Sequence, residues 1–134
     1  MKKIMMLISG VIIHAMLGAC NSTKLAASFD KETLESSAKQ VIDYLNSEEF
    51  DSVNAMVRED CKEYLSGDIL ADAVDKTYGK AGSFVEYKNI NIIGQKDKKA
   101  DYAIVIVKSK YEKQNVIFTI SFDSNLEVIG IFMK

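Results

Sequence analysis

The chain has 134 residues, 48% of them hydrophobic and 27% charged, which describes one folded domain and excludes both a two-core protein and a wholly disordered chain. Its formal charge is −2, and because Lys2 and Lys3 precede every acidic residue, the rest of the chain is more acidic still. With no long Lys/Arg run, it offers no electrostatic footprint for a phosphate backbone, so nucleic acid is excluded as a partner.

In chain order, a short positive start is followed by an apolar run from Ile4 to Leu17, broken only by Ser9, Gly10 and His14. That is the layout of a secretory signal. A bilayer-crossing helix needs roughly 20 apolar residues, and Asn21, Ser22, Thr23 and Lys24 end this run too early for one. The junction Leu17-Gly18-Ala19-Cys20 resembles the bacterial lipobox, in which a Leu and two small residues precede a modified Cys. The resemblance implies a signal peptide over residues 1–19, with Leu17, Gly18 and Ala19 read by the signal peptidase. Cys20 then becomes the lipid-bearing N-terminus, since its thiol supplies the sulfur of a diacylglyceryl thioether. Two acyl chains hold a protein stably on a membrane where one holds it marginally. Residues 20–29 read as the lipidated end and a small, polar tether, and residues 30–134 as a single domain on the extracytoplasmic face of the cell membrane. An acylated Cys20 is not available to Cys61, which then reads as a lone thiol, either a small buried hydrophobe or a half-exposed helix residue.

Asp30 is placed to cap a helix whose apolar positions Leu34, Ala38, Val41, Ile42 and Leu45 recur at spacings of three and four. Ser47 with Glu48 and Glu49 reads as the start of a second helix carrying Phe50, Val53, Met56 and Val57, with Arg58-Glu59-Asp60 closing it. Cys61 to Leu65 forms a further turn. Ser66-Gly67-Asp68 introduces a third helix with Ile69, Leu70, Ala73 and Val74 on one face, and Gly79 is its stop.

From Gly82 the chain turns rich in Val, Ile, Phe and Tyr, and its polar breaks define four strands: Phe84–Ile93, Asp101–Tyr111, Asn115–Phe122 and Leu126–Met133. Connections this short require antiparallel neighbours. In the third strand Val116, Phe118, Ile120 and Phe122 share one face, which should meet the helices. Ala103 to Val107 is apolar on both parities, so the second face needs cover from a helix, from curvature or from another subunit. The fold class is α+β: N-terminal helices packed on one face of a curved four-stranded antiparallel sheet.

This order, with Glu48-Glu49-Phe50-Asp51 and Val53 in the short helices and a closing hairpin through Phe122-Asp123-Ser124-Asn125-Leu126, resembles the cone-shaped folds of the nuclear transport factor 2-like and cystatin-like group. More narrowly, Val41 to Val57 and that hairpin resemble the domain of unknown function 3887 family of secreted and lipid-anchored bacterial proteins. The resemblance spans roughly Leu34 to Met133. It implies a pocket between sheet and helices, which the phenols Tyr44, Tyr64, Tyr78, Tyr87, Tyr102 and Tyr111 could line, with Tyr64, Tyr78, Tyr87 and Tyr102 selected as the candidate lining residues.

The single histidine, His14, lies in the leader, which removes Ser-His-Asp, Cys-His and Cys/His-zinc chemistry from the domain. Glu48, Glu49 and Asp51, and then Glu59, Asp60 and Glu63, lack calcium-loop spacing and read as solvated helix ends. Gln95-Lys96-Asp97-Lys98-Lys99 reads as a solvated hairpin tip. Gly79-Lys80-Ala81-Gly82 is a connector outside any phosphate-loop context. The functional expectation is therefore a membrane-anchored, non-enzymatic binding or protein-interaction domain without metal or cofactor, partnered by the membrane and by a second copy or an envelope protein. The alternative is a carrier or sensor of a small apolar ligand held in the cone. A His-free isomerase or dehydratase stands behind both.

Overall fold

The structure, a computed structural model, describes residues 24–97 and 99–134. The signal peptide, the Leu17-Gly18-Ala19 junction and Cys20 lie outside the described residues. Helix α1 spans Lys31–Asn46; the Asp30 carboxylate accepts from both the backbone N–H and the hydroxyl of Thr33, which satisfies a donor that the first turn leaves open. Its buried residues are Leu34, Ala38, Val41, Ile42 and Leu45, the five that the spacing selects.

The end of α1 departs from the sequence expectation. Glu49 N–H donates to the Tyr44 carbonyl and Glu48 N–H to the Leu45 carbonyl, a Schellman closure with Glu48 at a φ of 59° where glycine is usual. Ser47-Glu48-Glu49 therefore terminates one helix and does not cap the next. Helix α2 starts directly afterwards and covers Phe50–Met56, with no side-chain cap. Val57 turns extended and makes a single parallel bridge to Val128, so Arg58-Glu59-Asp60 does not close α2. Glu59–Leu65 is a 3-10 helix that buries Cys61 and Leu65. Asn54 locks it to α2, its amide donating to the carbonyls of Lys62 and Leu65. Helix α3 spans Gly67–Tyr78 and is capped by the Ser66 hydroxyl. It buries Leu70 and Tyr78, while Ile69, Ala73 and Val74 stay half-buried.

Strands β1 (Phe84–Lys96), β2 (Asp101–Tyr111), β3 (Asn115–Phe122) and β4 (Val128–Met133) pair as an antiparallel meander in the order β1-β2-β3-β4. Val116, Phe118, Ile120 and Phe122 of β3 and Ala103, Val105 and Val107 of β2 are fully buried in one core with α1 and the shorter helices. On the opposite face Ile104 is only 1% exposed, whereas Phe132 of β4 is 45% exposed. The molecule is thus α+β, with its helices on one face of a four-stranded sheet.

Two register irregularities in β1, between Phe84 and Glu86 and between Tyr87 and Asn89, shape the sheet's end. Strict alternation would send residues three apart to opposite faces. Each extra residue restores the parity, so Phe84, Tyr87, Ile90 and Ile92 all pack against the core, and the strand bends there.

The segment expected as a free tether is docked where it is described. Leu25 and Ala26 pack on the core and Phe29 is buried in it. The reason lies in β1: a Cβ on Gly94 would meet the Lys24 carbonyl oxygen at 2.2 Å, so the missing side chain makes the slot in which this backbone lies.

Candidate functional site

The last turn of α1 brings Asn46 beneath the end of α3 and against the ends of β1 and β2. There Tyr78 and Tyr111 both donate their phenol protons to Asn46 Oδ1, the former over 3.0 Å. Their rings lie 5.0 Å apart, Tyr78 meets Phe118 edge-on at 5.6 Å, and Tyr111 meets Phe84 edge-on at the same separation. Phe84 packs in turn on Tyr87 at 4.8 Å, an arrangement that the β1 bulges permit.

In front of this cluster opens a cavity of about 480 Å³, within the range of small-molecule sites. Its walls include Asn46, Phe50, Tyr78, Phe84 and Tyr111, with Glu48 and Asp75 as its charged residues; no lysine, arginine, histidine or cysteine lines it. Glu48 is held there in the left-handed backbone region, which costs an ordinary residue roughly 1 to 2 kcal/mol. A shallower hollow of about 460 Å³ shares Glu48 and Phe50 and extends to Glu49, Asp51 and Asp68.

Burial pushes the Tyr111 phenol up to about 12. Burial likewise raises Tyr78, with Tyr111 adding to it. Tyr87 is raised by burial and by the Asp43 carboxylate, which accepts its proton over 2.8 Å. A phenol held neutral in this way is a hydrogen-bonding wall and a poor proton-transfer group near neutral pH.

The four tyrosines singled out from the sequence are not gathered in one place. Tyr78 lines the cavity. Tyr87 stands one layer behind it, its ring tilted against Phe84 and its hydroxyl turned to α1. Tyr64 lies half-buried on the 3-10 helix and contributes nothing to this wall. Tyr102 starts β2 while Tyr111 ends it, so at about 3.3 Å per residue it sits roughly 30 Å from the aromatic cluster. Asn46, Phe84 and Tyr111 complete the site without having been selected; the left-handed turn at Glu48 and the β1 bulges that place them leave no Gly or Pro signal.

At the far end of the sheet, Arg58 holds the 3-10 helix to the β3–β4 turn. Its guanidinium donates to Asp60 over 2.7 and 3.1 Å and lies 3.5 Å from the buried carboxylate of Asp123. Asp123 accepts from the backbone N–H groups of Asn125 and Glu127, which fixes the hairpin turn. The adjacent Cys61 is a free thiol whose pKa is raised by burial first and by Asp60 second, the opposite of an activated nucleophile. At the β1–β2 tip Asp97 accepts from the N–H groups of Lys99 and Ala100, a local turn. Among the described residues no helix is long and apolar enough to cross a membrane.

The chain belongs to the family described as "Protein of unknown function (DUF3887)", whose pattern matches residues 38–131. It is also similar to a solved structure, the NMR structure of a protein from Ruminococcus gnavus ATCC 29149. The two superpose with a TM-score of 0.74 at 24% identity, over 83% of this chain and 96% of that one, so they share a fold. No curated protein matches the chain.

Proposed function

We propose that this chain is an extracytoplasmic lipoprotein, held to the cell membrane through lipid on Cys20, whose domain is a non-enzymatic binding module that takes a small ligand in the aromatic cavity. In this reading the architecture belongs to the cone-shaped, nuclear transport factor 2-like and cystatin-like group. The carrying observation is the cavity itself: an open space of about 480 Å³ whose floor is two phenols fixed on one amide. Organised polar groups beside an apolar wall are what orientation of a bound molecule needs. Binding is favoured over catalysis because the wall holds no imidazole or thiol and its phenols keep their protons.

Two experiments test the two halves. A bulky side chain at Ala71, which lines the cavity from α3, takes up space there while leaving Asn46, Tyr78 and Tyr111 unchanged in sequence. In a ligand-observed NMR screen of small fragments, binders to the full chain should vanish with Ala71→Phe; fragments that bind the variant equally well count against the cavity. For the anchor, Cys20→Ala should shift the protein from the membrane to the soluble fraction, and a processed variant that still pellets with membranes removes lipid attachment there.

The protein-interaction reading keeps one observation, the exposed Phe132 on the sheet face turned away from the helices. It predicts self-association, and a strictly monomeric sedimentation profile at micromolar concentration removes the homodimer.

A further inference from the structure

We infer that the cavity selects a protonated primary amine carried on a compact apolar body, an inference that rests on the binding reading above. The argument is an inventory of what the walls leave for a ligand. A phenol has one hydrogen, and both Tyr78 and Tyr111 give theirs to Asn46 Oδ1. What each has left is oxygen lone pairs. Glu48 and Asp75 are also acceptors when ionised, and no lysine or arginine lines the cavity to neutralise them. Against these stand two side-chain donors, the Asn46 amide nitrogen and the Ser83 hydroxyl, and the hydroxyl is an acceptor as well.

Phe50, Val74 and Phe84 are the large apolar groups of the wall. A purely apolar ligand would strip water from phenol oxygens and carboxylates without replacing its hydrogen bonds. An anion would meet two like charges. An alkylammonium group brings three N–H donors and a positive charge to an acceptor-rich, negative site, while its organic part covers the rings. The volume admits a body of one ring and a short chain.

The test compares three probes that share a phenyl body and differ in charge: phenethylamine, phenethyl alcohol and hydrocinnamate. Each is titrated into the isotope-labelled full chain in a neutral detergent, and the ring signals of Tyr78 and Tyr111 and the side-chain amide of Asn46 are followed by NMR. The amine should shift these signals with an affinity about tenfold above the alcohol, the gain expected from two part-exposed charge contacts, and the anion should bind more weakly than either. A double variant, Glu48→Gln with Asp75→Asn, should lose that tenfold preference of amine over alcohol, both side chains being exposed and outside the core. Equal binding of amine and alcohol, or tightest binding of the anion, overturns the amine assignment while leaving the cavity as a binding site. If none of the three moves these signals, both the assignment and the binding reading fall.

Discussion

Asn46 is the residue on which the site turns, because one carbonyl oxygen accepts from two buried phenols. Its removal should cost more than one hydrogen bond, since each stranded buried group carries its own desolvation penalty. Asn46→Ala is expected to destabilise the chain by about 2 kcal/mol in urea unfolding. A loss within experimental error would show that the phenols find other partners. The same phenols set an alkaline limit. An unfolded tyrosine ionises near pH 10 or so, whereas folding raises Tyr78, Tyr87 and Tyr111, the last to about 12. Folding therefore favours their neutral forms: the stabilisation is complete below the unfolded value and fades as pH climbs towards the folded ones. A spectrophotometric titration should show these three ionising late and together with loss of near-ultraviolet dichroism. Three early, reversible ionisations in an intact fold would contradict the buried network.

At the scale of elements, the contact between Gly94 and the Lys24–Leu25 backbone makes the N-terminal segment part of the fold. Gly94→Ala cannot keep both partners in place, because the intruding methyl meets backbone and not a yielding side-chain tip. The variant should lose about 1 to 3 kcal/mol and expose Leu25 to Phe29, seen as faster amide exchange there. Unchanged protection would mean that this segment is held by Phe29 alone. None of this docking was legible in a stretch of small and polar residues, since the feature that creates it is an absent side chain some seventy positions away. The regular elements were legible for the opposite reason. The five apolar positions of α1 repeat with the helix period, and β2 and β3 begin and end at the polar breaks, so burial and hydrogen bonding select the same residues that pattern does. Ser47-Glu48-Glu49 misled because acidic residues after a serine carry the chemistry of a helix start, while the turn is in fact closed by a glutamate in the left-handed region. The site tyrosines were only partly legible, because period-two counting places Phe84 and Tyr87 on opposite faces until the bulge between them is known.

On the scale of the whole molecule, the docked segment together with the lipid proposed on Cys20 would set an orientation on the membrane. Between Cys20 and Leu25 only residues 21–24 are left to span the gap, a reach of at most roughly 18 Å. The sheet end that carries Gly94 and the β1–β2 turn would then lie near the headgroups, and the cavity, at the opposite end of β1 and β2, would open away from the membrane. In vesicles containing a headgroup spin label, NMR signals of Lys96, Asp97 and Lys99 should broaden while those of Gly79 to Gly82 persist; the reverse pattern would mean that the cavity faces the bilayer. Such a geometry suits a receptor for a solute arriving from outside, which makes occupancy of the cavity the decisive matter. A crystal structure of the chain grown with phenethylamine tests it most directly. The account predicts the ammonium within hydrogen-bonding distance of Glu48, Asp75 or a phenol oxygen of Tyr78 or Tyr111, with its ring against Phe84 or Phe50. A cavity closed by its own side chains, or the amine bound only elsewhere on the surface, would contradict it.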